Sequence, residues 1–139
     1  MIRLYNLDFC SLEIHHNYMI AVMKEGIVVS ATNNSILIKI AEKHFKKAPF
    51  VYITHRIHSY AVDPIVYIKT AEVSNLIGFA VVSKDPRQKE QTTYEKSFFK
   101  KEFRRFDDIE SALSWKEELI SKYQQSKSFS DKDKKGIKE

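Results

Sequence analysis

The chemistry-bearing residues of this chain crowd into one short connection, "THRIHSYAVDP" at 54–64. His55, Arg56, His58, Ser59, Tyr60 and Asp63 all lie within it. Arginine offers a planar fork of donors to a carboxylate or phosphate, and histidine a donor that responds to pH near neutrality. A serine hydroxyl can carry a phosphoryl group. The set fits an anion-type loop that contacts a ligand or partner, with Ser59 as a phosphorylation point. A metal would need a third ligand beside His55 and His58, and Asp63 is the nearest candidate. Without a cysteine or a second histidine cluster beside them, no metal is expected. His15 and His16 are neighbours, so on a strand they face opposite ways.

Catalysis is not expected. Ser59 with His55 or His58 has the residue types of a nucleophile and base, but G-x-S-x-G, G-x-x-x-x-G-K and G-x-G-x-x-G are all missing. Three glycines leave no room for a Gly-rich loop. Cys10 has no base near it in sequence and is expected to be a small packed residue. No catalytic residue and no cofactor is therefore assigned.

The elements that must hold this loop follow from hydrophobic period. Leu12 and Ile14, then Tyr18, Ile20 and Val22, alternate with polar neighbours and predict a hairpin turning at His16 and Asn17. "TNNSILIKIAEKHFKK" predicts a helix capped by Thr32 or Asn33, with Ile36, Leu37, Ile40, Ala41, His44 and Phe45 on its inner face. "FVYIT" and "LIGFAVVS" read as buried parallel strands, and Gly78 inside the second signals a close approach by another element. Asp63-Pro64 and Asp85-Pro86 each place a capping side chain before a proline suited to the first helical turn. Helices are expected after both, the second covering 86–102. "FRRF" predicts a last short strand. "DDIESALSWKEELISKY" predicts an amphipathic helix with a capping box at Asp107 and Glu110, and with Trp115 near the edge of its stripe. The order ββαβαβαβα implies an α/β layer: an N-terminal hairpin, then a four- to five-stranded, mostly parallel sheet.

Composition sets the outer limits. The chain has 139 residues, 43% of them hydrophobic, enough for one domain with its own core. That domain is expected over 1–124. Residues 125–139, with five lysines against three acids, read as a polar basic tail without order. The net charge is +5 and the pI about 9.2. "SFFKKEFRRF" at 97–106 mixes aromatics with cations, as single-strand binders do. Its phenylalanines suit a core and its cations a solvated side, so no nucleic acid is expected. Tyr94, Phe98, Phe99 and Trp115 would suit self-association if exposed, which leaves a homodimer open. No apolar stretch is long enough for a transmembrane segment, no secretory pattern opens the chain, and there is one cysteine. A cytoplasmic location is expected.

"PFVYITHRIHSYAVDP" (49–64), "GFAVVSKDP" (78–86) and "FRRFDDIESALSW" (103–115) together resemble the SpoIIAA-like group of the STAS superfamily, over roughly residues 3–123. The resemblance implies helices packed mainly on one side of the sheet. It also implies a non-enzymatic, regulatory role, with a protein as the expected partner. Family relatives include anti-sigma-factor antagonists, transporter regulatory domains and, more distantly, lipid carriers. A carrier of an anionic small molecule or lipid, in a pocket between sheet and helices, is therefore the alternative. Switched members carry a phosphorylated serine in a D-x-S-G element before the second helix. Ser59 takes that place here, with Ile57 and Tyr60 where the pattern has aspartate and glycine.

Overall fold

The computed structural model describes residues 1–58 and 60–137, with side-chain surroundings given as far as residue 127. Strands β1 (Arg3–Asn6), β2 (Cys10–Ile14) and β3 (Tyr18–Met23) form an antiparallel meander. β4 (Val28–Val29) leads into α1 (Ala31–Phe45), β5 (Phe50–His55) and β6 (Ala61–Val62). Then come α2 (Ile65–Ala71), β7 (Leu76–Val82), α3 (Gln88–Lys96), β8 (Glu102–Phe106) and α4 (Ile109–Ile137). The main sheet has the order β1-β2-β3-β5-β7-β8, parallel from β3 onward, and β4 and β6 make a small parallel pair of their own.

Alternation along the central strands divides the interior in two. On one face Phe50, Tyr52, Phe79, Val81 and Phe103 pack against Leu37, Ala41 and Phe45 of α1 and Val66 and Tyr67 of α2. On the other, Val51, Ile53, Ala80 and Val82 meet Ala112 and Trp115 of α4. Burying such side chains contributes about 1.5–3 kcal/mol each. α4 lies over β5, β7 and β8, while the other helices sit on the first face, so the helices are mainly on one side. Gly78 is where α4 comes closest. A Cβ there would sit 2.5 Å from Leu119 Cδ1 and 3.1 Å from the Trp115 ring.

The expected layout is present, with several corrections. The sheet has six strands, because β1 adds an edge with little buried surface. In β3 the fully buried set is Met19, Ala21 and Met23, which lie opposite Ile14, Leu12 and Cys10; Tyr18 and Ile20 turn to the α4 side. Ser30, not Thr32 or Asn33, caps α1: its Oγ accepts from the Asn33 amide at 3.2 Å. Ile36 is exposed, and Asn34 is buried in its place, exchanging hydrogen bonds with Thr70 of α2. α3 covers Gln88–Lys96 rather than 86–102, because Phe99 turns into the core and Lys101 Nζ donates to the Val73 and Leu76 carbonyls. Asp108 replaces Asp107 as the cap of α4, accepting from the Ser111 amide at 2.7 Å. Trp115 is buried at the centre of the α4 contact rather than at its edge. Of the residues suggested for a surface patch, Tyr94 alone is largely exposed. Among the described residues no helix is long and apolar enough to cross a membrane.

Candidate functional site

β3, β5, β7 and β8 run parallel, so their carboxyl ends share one edge, where ligands of α/β sheets gather. The 56–63 connection crosses that edge. Its first foot is the Arg56 amide, which donates to the Val82 carbonyl of β7 at 2.8 Å. Its second foot is β6, paired with β4; the Ala61 amide donates to Ile27 and the Asp63 amide to Val29, at 3.0 and 3.1 Å. Two short strands that periodicity cannot detect thus pin the loop at its far end.

Arg56 points inward. Its Nη2 donates to both Glu95 oxygens at 2.6 and 2.7 Å and to the Tyr67 hydroxyl at 3.1 Å. Nη1 donates to Gln88 Oε1 at 2.9 Å, and Nε to the Tyr60 hydroxyl at 3.1 Å. The Tyr67 hydroxyl in turn donates to Glu95 Oε2. The Arg56 and Glu95 side chains are 4% and 5% exposed. Burial by itself would lower the Arg56 pKa, but the Tyr60 and Tyr67 oxygens and the Glu95 carboxylate outweigh it and hold the pKa above its ordinary value. Burial, then the Glu95 charge, pushes the Tyr67 hydroxyl up. The arginine is therefore a permanent cation already matched to an internal anion. In this structure it is not a free fork for an outside one.

The other loop residues divide. Tyr60 joins the network, with its ring 5.2 Å from the guanidinium carbon. His55 ends β5 half-buried, its pKa lowered by burial and by Lys84. Ile57 and His58 face outward, Ile57 with 61% exposure. Ser59 lies outside the described residues. Asp63 starts α2 as expected: its Oδ1 accepts from the Ile65 amide at 3.1 Å, and Pro64 already has helical angles. Asp63→Ala should lower stability by about 1 kcal/mol in urea denaturation; an unchanged midpoint would remove the cap assignment. The structure thus brings Arg56 and Tyr60 together and leaves His58 and Asp63 outside the network.

Three members of the cluster are invisible in the loop sequence: Tyr67, Gln88 and Glu95. One signal for the last two exists. α3 reads "QKEQTTYEK", with no apolar stripe, yet it packs on the domain. A helix of that kind needs a polar anchor, and positions 88, 92 and 95 share its inner face.

Cys10 is buried and unpaired, as expected of a packed residue. Burial pushes its thiol from 9.0 up to about 12, with Lys24 opposing. An unfolded thiol ionises near 9 while the folded one keeps its proton, so the unfolded state binds fewer protons there. Stability should fall as pH rises from about 9 toward 12, and Cys10→Ala should flatten that slope. An identical alkaline slope in the variant would contradict the shift. Among the described residues no three His, Cys, Asp or Glu side chains converge as metal ligands.

The cavity bordering the network, walled by Tyr52, Tyr60, Val62, Val66, Tyr67 and Phe79 among others, measures about 20 Å³. That is room for one water at most. A larger open groove of about 620 Å³ runs between α1 and α2, away from the loop, with Glu42, Lys46, Lys69 and Glu72 along it. Its charges are of both signs and converge on nothing.

No protein-family model matches this sequence, and no curated protein matches it. Among solved structures, it is similar to an uncharacterized protein of the DUF3478 family with a SpoIIAA-like fold, from Shewanella loihica PV-4. The two share 16% identity at a TM-score of 0.57, over 81% of this chain and 97% of that one. The parallel sheet entered through an antiparallel hairpin, the helix order and this likeness agree: the chain has a SpoIIAA-like fold.

Proposed function

We propose that this domain is a non-enzymatic binding module that engages a protein partner through the outer face of the 56–63 loop. One observation carries the reading: Ile57 stands 61% exposed on a loop whose two feet and inward side chains are fixed. A pre-ordered loop spends little conformational entropy on binding, so an apolar contact there converts efficiently into affinity. Val28 of the adjoining β4–β6 pair is equally exposed and extends the apolar surface. The exposed His58 beside it in the chain, and Lys84 near His55, supply donors and positive charge on this side, so the fitting partner presents an apolar side chain among acidic ones. A phosphoryl group on Ser59 would add about two negative charges to the loop and reverse that preference. The buried, protonated Cys10 suits a cytoplasmic location and offers no nucleophile.

A carrier with a standing pocket is less well supported. Ligand cavities run to about 300–1,000 Å³; the space between sheet and helices beside the network measures about 20 Å³, and the groove of that size, about 620 Å³ between α1 and α2, is open and edged by Glu42, Lys46, Lys69 and Glu72. The test is a photo-crosslinking residue placed at Ile57 and, as control, at the exposed Lys43 of α1, in cells of the native host. A discrete adduct from position 57 that is absent from 43 and lost on Val28→Asp supports the loop surface. Matching patterns from both positions would reject it. Intact-mass analysis of the same protein followed by peptide mapping reads phosphorylation at Ser59.

A further inference from the structure

We propose that Arg56, Tyr60 and Tyr67 form a carboxylate-binding site that the chain's own Glu95 occupies, with α3 as the lid whose movement frees it. The site faces inward and does not rest on the outer-face contact proposed above.

The first support is the way α3 is held. Its buried residues are Thr92 and Glu95, and its one aromatic, Tyr94, is 59% exposed. A surface helix normally docks through an apolar stripe. This one docks through Gln88 and Glu95 on a guanidinium.

The second is that the ion pair itself adds little net stability. Desolvating two charges offsets most of their attraction, and an apolar pair of similar volume generally serves as well or better. Glu95 also shows what the site accepts. A carboxylate there accepts from Arg56 Nη2 on both oxygens and from the Tyr67 hydroxyl on one, while the Tyr60 hydroxyl accepts a hydrogen bond from Arg56 Nε and orients the guanidinium.

The third is mechanical. Beyond its carboxyl end, α3 continues into Phe99, buried between Phe79 and Phe103 at ring distances of 5.4 and 5.7 Å. Before its amino end lie the exposed Lys84, Pro86 and Arg87. The amino end is held through Gln88 on Arg56 Nη1, so one guanidinium retains both ends of the polar face, and release of that guanidinium lets α3 lift about Ser97. Lifting it would take Glu95 off Arg56 and off Tyr67, whose ring, like that of Tyr60, also lines the small cavity beside Tyr52 and Phe79. The ligand class is therefore a small carboxylic acid, whose carboxylate replaces Glu95 between Arg56 and Tyr67.

Glu95 competes as a tethered ligand, and only the lid-open fraction binds, so the intact chain binds an outside acid weakly. Benzoate is the probe, followed by NMR on the full chain at the Arg56 Nε–H and at the amides of Arg56, Tyr60 and Tyr67, against chloride at matched ionic strength. Glu95→Gln should saturate at benzoate concentrations about tenfold or more below those of the unaltered chain, and adding Arg56→Lys should abolish saturation. Shifts that do not saturate, or that survive Arg56→Lys, overturn the proposal. Should Glu95→Gln fail to fold, hydrogen exchange on the unaltered chain decides. The α3 amides should exchange about tenfold or more faster than those of β5 and β7, and benzoate should speed them further by holding the lid open. Protection of α3 equal to that of the sheet, or indifference to benzoate, overturns it.

Discussion

Arg56→Met alone should destabilise the domain by about 3–5 kcal/mol. The reason is what it leaves behind: a Glu95 carboxylate 5% exposed, with the Tyr67 hydroxyl as its remaining donor from the cluster. Glu95→Leu should cost a similar amount by stranding the guanidinium. The double variant Arg56→Met/Glu95→Leu should recover at least about half of either loss, since no unpaired charge is then buried. Recovery stays incomplete because the Tyr60 and Tyr67 hydroxyls and Gln88 also lose partners, at about 1 kcal/mol each. Urea denaturation of the four proteins measures the coupling. Additive single and double effects would mean the pair does not act as a unit.

The second large effect belongs to the opposite face. Trp115→Ala should cost about 3–5 kcal/mol, the range for truncating a buried aromatic. Trp115 packs on Phe106 at 5.4 Å and over the bare backbone of Gly78. Glycine has no side chain to fall into the space, so the cavity should persist. Gly78→Ala alone should cost about 1–3 kcal/mol by crowding Leu119 and Trp115. In the Trp115→Ala background the same alanine should cost less, because the 3.1 Å contact with the ring is gone and the Leu119 end group, the tightest neighbour, can shift into the vacated space. Thermal or urea unfolding of this second cycle tests the fit, and equal costs in both backgrounds would contradict it.

The frame of the fold was legible because its signals are local. Strand alternation, the apolar runs at 50–54 and 76–83, and the two Asp-Pro pairs each announce themselves within a few residues. β1 was not legible, since an edge strand with almost no buried face has no apolar alternation to show. β4 and β6, two residues each, are defined by their pairing and by nothing in their own sequence. The loop drew attention by composition, and its placement at the strand ends followed from the parallel order. What composition could not give is the direction Arg56 faces. Its partner Glu95 lies 39 residues further on, within a stretch that looks like any solvated helix. Charge type is visible in a sequence, while charge pairing across the fold is a property of the packing.

The position of β8 at the rim of the sheet explains the odd richness of "SFFKKEFRRF". A parallel sheet that stops at β8 exposes a row of unpaired amides and carbonyls, which could template pairing with another chain and so seed aggregation. Phe103 and Phe106 must be there for the two cores, which makes the strand sticky as well as unpaired. The exposed Lys100 and Arg104 flank those aromatics with like charge, while Lys101 turns in on the Val73 and Leu76 carbonyls and Arg105 pairs with Asp107. Two copies approaching rim to rim would bring these cations together before any backbone bond could form. The basic cluster that resembles a nucleic-acid motif is thereby a colloidal safeguard, and its removal would surface first as loss of solubility on concentration.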